Sequence, residues 1–505
     1  MGALALKRVA VFAPRDPREA RAAVPALRSL SGSSEGWEVE VYAVDDAVDA
    51  LQTLGVTSTL MEVGLGAALR EFAPDAVVLM DPSDEDAVAA REAGVALRVG
   101  WGPSLGALTH AVQPARLRGR EHRPDPSRVY LDVVGLLGAL PTSTSPELSP
   151  RLPEGRVLLR LPNWLGDAVQ CEPLLRAFNG SAERLTLVGP IALQLLFSES
   201  LSGATWLPQG AGARAWRGND LALLLDGSLR SAFKAALAGI PERVSWARGG
   251  KSLLLTDAVC PPRELGAPAV GCGRPGSHPR WLPRPFEVSV RELASAAGVE
   301  LEGEGPRLSA GEEGRGAAKE LLSAAGVSPG ERFVLAAVGG RPGSAKAAPV
   351  ETWGATLEAL RAKDDVPVLL TCGPGEEGRM EAVVERGVPE GVSCTRGGAT
   401  GLGALLGLLE EAAAFVTADS GPRHLAAATG CPSVVLHGPT DPRHSGVTGA
   451  RISVSRLWSP CGPCHRERCP LTGSEHLACF GVGHAESVAA MLCGLLAPEA
   501  EEMKP

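Results

Sequence analysis

Aromatic residues are scarce in this chain, at 9 Phe, 9 Trp and 2 Tyr in 505 residues. Its cores must therefore be built mainly from Ala, Val and Leu. No run of about 18 or more apolar residues occurs, so the sequence offers no membrane-spanning helix. There is no excess of positive charge either. Lys and Arg number 49 against 58 Asp and Glu, a formal charge of −9, which argues against a nucleic-acid binder with its usual basic face. The opening MGALALKRVAVFAP lacks a charged segment followed by an apolar stretch and a cleavage site, and reads as a first β-strand. Eleven cysteines are an odd count, and seven are scattered singly. That usage suits a reducing cytoplasmic location better than a disulfide framework.

At this length two or three domains are the natural division. Short apolar runs alternate with helical patterns throughout, as in βαβ units around parallel sheets. The runs are Arg8–Phe12, Ala76–Met80, Val157–Leu161, Leu185–Val188, Leu221–Leu225, Phe333–Val338, Val366–Thr371, Ala413–Thr417 and Pro432–His437. Leu140–Gly155 is rich in Pro, Ser and Thr without an apolar face, and reads as a linker. Glu302–Gly314, rich in Gly and Glu, is a softer boundary. The expected division is a first αβ domain over 1–140, a linker over 141–155, a second domain over 156–310 and a third over 311–505.

The first two domains resemble each other. Ala73–Trp101 aligns with Gly218–Trp246, with Asp81 on Asp226 and Trp101 on Trp246, both 145 positions apart. Upstream, Pro14 falls on Pro162 and Pro25 on Pro173, 148 apart. The copies differ where chemistry would sit: LPNWLGDAV in the second stands against APRDPREAR in the first, with Asp167 over Glu19 and Gly166 over Arg18. The first copy thus reads as a degenerate scaffold or a regulatory surface. Its Asp84-Glu85-Asp86 has the D-x-D form of a metal site, but an acidic run at a helix start is ordinarily a solvated first turn.

Four strand ends carry the chemistry. After Val157–Leu161 a tight loop leads to a helix starting at about Asp167, where the helix dipole favours an ionised carboxylate suited to a general base. After Val416, the turn Asp419-Ser420-Gly421 precedes a helix with Pro422 at its start and Gly430 beyond its end. The amides of Gly421 to His424 there suit a diphosphate, His424 could reach it, and Asp419 could fix the turn or meet a sugar hydroxyl. After Phe333–Val338, a Gly-rich loop brings Lys346 before a Pro-started helix, where it could stabilise a departing diphosphate. After Val366–Thr371, Glu376 or Glu377 follows a GPG turn, a place where acidic residues bind ribose hydroxyls. Taken singly, Asp167 is equally at home as a helix cap, His424 as a buried helix histidine bonded to a backbone carbonyl, Lys346 as a solvated loop lysine, and Glu376 or Glu377 as the charged first turn of a helix.

Together the ordered set resembles glycosyltransferase family 9, the lipopolysaccharide heptosyltransferases, from about Arg156 to Leu496. PNWLGDAV, DSGPRHLAAATGCPSVVLHGPTDP and the CGPC…CP…C tail carry the resemblance. The PNW form is most like members called heptosyltransferase II. The resemblance implies an α/β fold of GT-B type, with two Rossmann-like lobes here preceded by a third Rossmann-like domain. The acceptor would bind the lobe at 156–310 and the nucleotide-sugar donor the lobe at 311–505. It implies transfer of heptose from ADP-heptose to a lipid-linked inner-core glycan, with inversion, no metal requirement and no cofactor. Contact with the cytoplasmic membrane would be peripheral at most. By motif position Asp167 corresponds to the base and Lys346 to the diphosphate-binding lysine. Glu376 corresponds to the ribose ligand, and Asp419, Ser420, Gly421 and His424 to the donor loop.

The sequence departs from the family at Ala347-Ala348-Pro349, where a basic and an aromatic residue usually follow the lysine. It departs also at Phe286-Glu287, usually His-Glu, and at His437, usually Phe. Cys461, Cys464, Cys469 and Cys479 are spaced plausibly for a structural zinc site, with His465 and His476 as spare ligands, or are simply thiols. Arg248, Lys251, Arg280 and Arg284 are candidates to meet an anionic acceptor. The last helix, Ala485–Leu496, is expected to cross back to the acceptor lobe. Two other readings share the motif set: a catalytically weak nucleotide-sugar-binding or assembly protein, and a transferase of another sugar.

Overall fold

A computed structural model describes residues lying within 8–117, 152–266 and 284–497, with short breaks inside each. Residues 141–151 of the expected linker fall outside the described residues, as do Arg18, Glu19, Pro25, Asp81, Arg248 and Arg280.

Three sheets are formed. The first sheet contains β1 (Arg8–Phe12), β2 (Glu38–Ala43), β3 (Thr59–Leu60), β4 (Ala76–Leu79), β5 (Leu97–Trp101) and β6 (His110–Gln113). A short β7 (Arg116–Leu117) follows. The second sheet contains β8 (Val157–Arg160), β9 (Leu185–Gly189), β10 (Thr205–Pro208), β11 (Leu221–Leu224), β12 (Glu242–Trp246) and β13 (Asp257–Cys260), with β14 (Arg263–Gly266) after it. The third contains β15 (Val334–Ala337), β16 (Val368–Thr371), β17 (Val392–Cys394), β18 (Ala414–Ala418), β19 (Ser433–His437) and β20 (Ile452–Arg456).

The three share one connectivity. Each runs outward through three strands, returns to the centre and runs outward again: β3-β2-β1-β4-β5-β6, β10-β9-β8-β11-β12-β13 and β17-β16-β15-β18-β19-β20. All pairings within these series are parallel. This is the doubly wound order that opens a ligand crevice at the carboxyl ends of the central strands. The central strands VLLR, LALL, VLAA and AFVTA are buried along their whole length, as a sheet covered on both faces requires. The third Rossmann-like domain expected from the sequence is therefore present.

The two β14 and β7 strands do not stay with their own sheets. Arg116–Leu117 lies against β13, and Arg263–Gly266 lies against β6, both antiparallel. The second and third sheets share one buried cluster, in which Leu161, Ala168 and Leu174 meet Leu425, Ala426 and Phe415.

Two expectations are corrected at the C-terminus. Ala478–Leu496 is in fact long and apolar enough to cross a membrane by length and composition. However, Val488, Ala489, Leu492 and Leu496 are buried in the core of the third sheet with Trp353, Leu357 and Val434, so it packs as a core helix. Nor does it cross back: its described contacts are with the helix Val350–Arg361 and with β18, β19 and β20, all in the third domain.

Candidate active site

The residues singled out from the sequence converge where the second and third domains meet. At the end of β8, Arg160 is buried, with its Nε 3.5 Å from Asp226 Oδ2 and its Nη2 donating to Asn163 Oδ1 at 2.7 Å. That pair holds the loop Pro162–Trp164 and starts the short helix Leu165–Val169, which carries Asp167 in its first turn. Asp226 also accepts from the hydroxyls of Ser228 and Ser231. Neither Arg160 nor Asp226 stood out as functional from the sequence. The signal was present in Asp226, the residue that aligned with Asp81.

From the third domain the helix Gly421–Thr429 comes nose-on against this turn. A methyl group on Gly166 would lie 2.5 Å from His424 Cδ2, and one on Gly421 would lie 3.0 Å from Leu165 Cδ2. At Gly166 the His424 ring leaves no room for a side chain, and at Gly421 the Leu165 side chain would have to give way by a few tenths of an ångström. The His424 ring is buried, and its Nδ1 has no hydrogen-bond partner among the described residues. Burial, then the neighbouring Arg423 charge, push its pKa down to about 3. It is therefore neutral at physiological pH. The amide of Arg423 turns back to Ser420 O at 3.3 Å, so it is not available in the way the sequence suggested. Ser420 caps the helix through its backbone alone, and its hydroxyl lies 3.3 Å from Thr417 Oγ1.

Asp419 is 5% exposed and sits between two cations. Arg423 Nη1 donates to its Oδ1 at 3.0 Å, and Lys346 Nζ stands 3.6 Å from its Oδ2. Burial opposes its ionisation, but His437, protonated at the low pH where this carboxyl titrates, together with Arg423 and Lys346 outweighs that, so its carboxyl lies well below the usual range. Asp419 is an anchor for two basic side chains more than a free acceptor for a sugar hydroxyl. Arg423 escaped the sequence reading, although it lies one helical turn from Asp419. Behind it, His437 is fully buried, with Nε2 3.5 Å from Arg423 Nη1 and Nδ1 3.3 Å from Thr440 Oγ1. Burial brings its pKa down to about 4. A neutral ring protonated on Nδ1 satisfies both contacts, accepting from Arg423 and donating to Thr440. The replacement of the family's usual Phe thus extends a buried polar chain.

Asp167 faces this cluster from the other domain. Its pKa is pushed up to about 6, first by burial, then moderated by the Lys346 charge and raised again by Asp419. The helix start alone pointed to an easily ionised carboxylate; desolvation at the domain seam wins instead. A carboxylate in this range is still ionised at neutral pH and is more basic than an exposed one.

Lys346 is half exposed in the loop after β15. The Cys-rich tail straps that loop, since Ala345 N–H donates to Glu467 O at 2.7 Å and Arg341 pairs with Glu467, and it also holds the loop after β19, where His465 N–H donates to Pro439 O at 2.8 Å. The two alanines after Lys346 are buried, and Ala347 lies where a methyl on Gly340 would come within 2.8 Å. Their small size is therefore used in close packing. Glu376 caps the helix Glu377–Glu385 and accepts from Gly373 N–H at 3.0 Å. It lies beneath Gly339, where a methyl group would overlap its carboxylate. Arg379 beside it was also missed; its buried Nε and Nη2 have no hydrogen-bond partner among the described residues.

Several candidates are not assembled into the site. Lys251 is buried and donates to Gly227 O, and Arg284 is buried in a two-toothed pair with Glu292. Both are structural, and neither offers a free cation to an acceptor. Asp86 of the D-x-D accepts from Arg15 at 2.9 Å. Among the described residues no group of three or more His, Cys, Asp or Glu is arranged to hold a metal ion. Within the tail, Cys461 lies 3.2 Å from Ser459 Oγ, and Cys469 accepts from Leu477 N–H at 3.5 Å. The buried Cys479 thiol is pushed up to about 11 by burial and then by Cys461, Cys464 and Cys469.

The family described as glycosyltransferase family 9 (heptosyltransferase) matches residues 211–474, just over half of the chain. The chain belongs to this family. Among curated family 9 relatives, lipooligosaccharide heptosyltransferase 2 of Haemophilus influenzae is 25% identical over 242 residues, 47% of this chain and 66% of that protein. Lipopolysaccharide heptosyltransferase 2 of Escherichia coli is 24% identical over 323 residues, 60% of this chain and 88% of that protein. The chain thus spans just under two thirds of the first relative and most of the second. A solved family 9 glycosyltransferase from Veillonella parvula superposes with a TM-score of 0.51 at 18% identity, covering 70% of this chain and 99% of that one. That likeness bears on the fold alone. The domains holding Asp167, Lys346 and Asp419 therefore make up a two-lobed family 9 glycosyltransferase, and an additional doubly wound domain precedes it.

Proposed function

We propose that this chain transfers heptose from ADP-heptose to a hydroxyl of a lipopolysaccharide inner-core acceptor, with inversion and without a metal ion. The single observation that carries the reading is the meeting of Asp167 from one lobe with the Lys346–Asp419 pair from the other. In the proposed step the acceptor oxygen forms a bond to the anomeric carbon as the bond from that carbon to the diphosphate breaks. The acceptor proton passes to the Asp167 carboxylate, and the electron pair leaves with ADP. Lys346 meets the growing negative charge on the diphosphate. Asp419 and Arg423 hold Lys346 and the turn at Ser420–Gly421 in position. Glu376, at the neighbouring strand end, is the ribose ligand in this reading, and the unpartnered Arg379 guanidinium adds a second cation beside the Gly-rich loop. Trp164 is 69% exposed three residues before Asp167, and its ring is a stacking surface for an acceptor sugar.

The test is a donor screen with purified protein and a deacylated inner-core acceptor, following ADP or UDP release and the anomeric configuration of the product. ADP release from ADP-heptose with an inverted linkage, undiminished by a chelator, is expected. Release only from another nucleotide-sugar, or from none, overturns the donor assignment, and a retained anomeric configuration overturns the direct displacement by the acceptor.

A further inference from the structure

The first and second sheets are joined in a way that the third does not share. Two residues separate β6 from β7 in the sequence, and two separate β13 from β14, yet each pair is split between two sheets. β6 closes the first sheet while β7 adds to the edge of the second, and β13 closes the second while β14 adds to the edge of the first. The register of this exchange is symmetric. Gln113 pairs with Arg263 and Val112 with Glu264; Cys260 pairs with Arg116 and Val259 with Leu117. Adding 147 to the first-copy residues of the former pairs, and subtracting 147 from their partners, gives the latter pairs. Exchanging the two copies therefore maps one ladder onto the other, which is the property of an isologous, two-fold contact.

The sequences at the crossing agree with this. His110–Leu117 reads HAVQPARL and Asp257–Glu264 reads DAVCPPRE, with identities at Ala111 and Ala258, Val112 and Val259, Pro114 and Pro261, and Arg116 and Arg263. Pro114 and Pro261 hold the same place in the two sequences, and proline has no N–H to continue a ladder. The exchange also covers the outer edges of β6 and β13, which would otherwise present unpaired backbone groups.

We propose that residues 8–117 and 157–266 are two copies of one unit held as a strand-exchanged pseudo-dimer within a single chain. The first copy is thus a docked partner of the acceptor lobe, fixed along its far edge, and not an appendage swinging on the segment between them. This holds whatever sugar the enzyme transfers.

A protease recognition sequence inserted between residues 118 and 151 of the full chain tests the docking. After cleavage the two fragments are expected to elute together at the volume of the intact chain. Their separation under native conditions overturns the proposal. The register is tested separately by Arg116→Cys, which sets a second cysteine opposite the native Cys260. Facing Cα atoms in an antiparallel ladder lie about 4.5–5.5 Å apart, within the range a disulfide spans. Mild oxidation of the cleaved protein is then expected to link the fragments on a non-reducing denaturing gel, with the 116–260 pair identified by mass spectrometry. Ala111→Cys, whose partner is Leu265, should give no link to Cys260. Absence of the 116–260 link in folded protein, or an equal link from position 111, overturns the register.

Discussion

Replacing Asp167 by Asn should make the protein more stable while removing its activity. The Asp167 carboxyl is raised from 3.8 to about 6, chiefly by burial, which corresponds to about 3 kcal/mol of folding free energy at pH 8. The sign follows from proton binding. Between about pH 4 and pH 6 the native state holds a proton on Asp167 that the unfolded chain has released. Wild-type stability contributed by this group is therefore fully present below about pH 4 and is lost as pH rises through about 6. Asn carries no charge to desolvate, so its advantage over Asp should grow across that window and level off above it. The favourable pull of Lys346 is already included in the shift, so about 3 kcal/mol is the ceiling for a well-accommodated amide. For a domain of 150–250 residues this amounts to roughly 6–12 °C in Tm. Paired thermal melts of wild type and Asp167→Asn at pH 4, 5, 6, 7 and 8 are the assay. A Tm difference that does not change with pH, or an Asn variant less stable than wild type at pH 8, refutes the claim that Asp167 is strained by burial at the seam.

Three further outcomes follow from the same geometry. Gly166→Ala should destabilise by about 1–3 kcal/mol and depress turnover, since its methyl group meets the His424 ring at 2.5 Å; adding His424→Ala should restore part of the stability, read by denaturant unfolding. Arg423→Leu should cost about 3–5 kcal/mol because it strips the buried Asp419 of its closest cation, and the double variant with Asp419→Asn should lose less than Arg423→Leu alone. Lys346→Met should lower kcat/KM for the donor about 10²–10³-fold, with little change in Tm because this side chain is half exposed.

Much of this architecture was legible because buried parallel strands are short apolar runs. All nine runs read from the sequence are strands, within a residue or two at each end. The edge strands were not legible, for a physical reason. Thr205–Pro208, Ile452–Arg456 and Arg263–Gly266 carry charged or hydroxyl residues that a strand with only one neighbour or a wet face tolerates. The exchange of β7 and β14 was hidden for the same reason: it is a backbone contact made by residues with no apolar pattern.

At the site, the turn residues Gly166, Gly421 and Pro422 and the strand-end charges were readable, since each answers to a local backbone demand. Burial was not. Asp419 read as a residue that fixes the turn or meets a sugar hydroxyl, because nothing in its neighbourhood in sequence reveals that Lys346 reaches it from another strand. Lys251 and Arg284 read as surface cations although their partners bury them. Asp167 read as an easily ionised helix-start carboxylate, whereas the opposing lobe excludes the water that would have kept its pKa low.

The central claim is that Asp167 is the base of a glycosyl transfer carried out between the two lobes. The pH dependence of kcat/KM for ADP release from ADP-heptose, measured from pH 4.5 to 9 for wild type and Asp167→Asn, tests it most directly. A base must be deprotonated to act, so wild-type activity should be lost as pH falls, with an apparent pKa near 6. Asp167→Asn should be lower by about 10²–10⁴-fold and should lack that limb. An Asn variant that keeps most of the activity, or one whose acidic limb is unchanged, contradicts it.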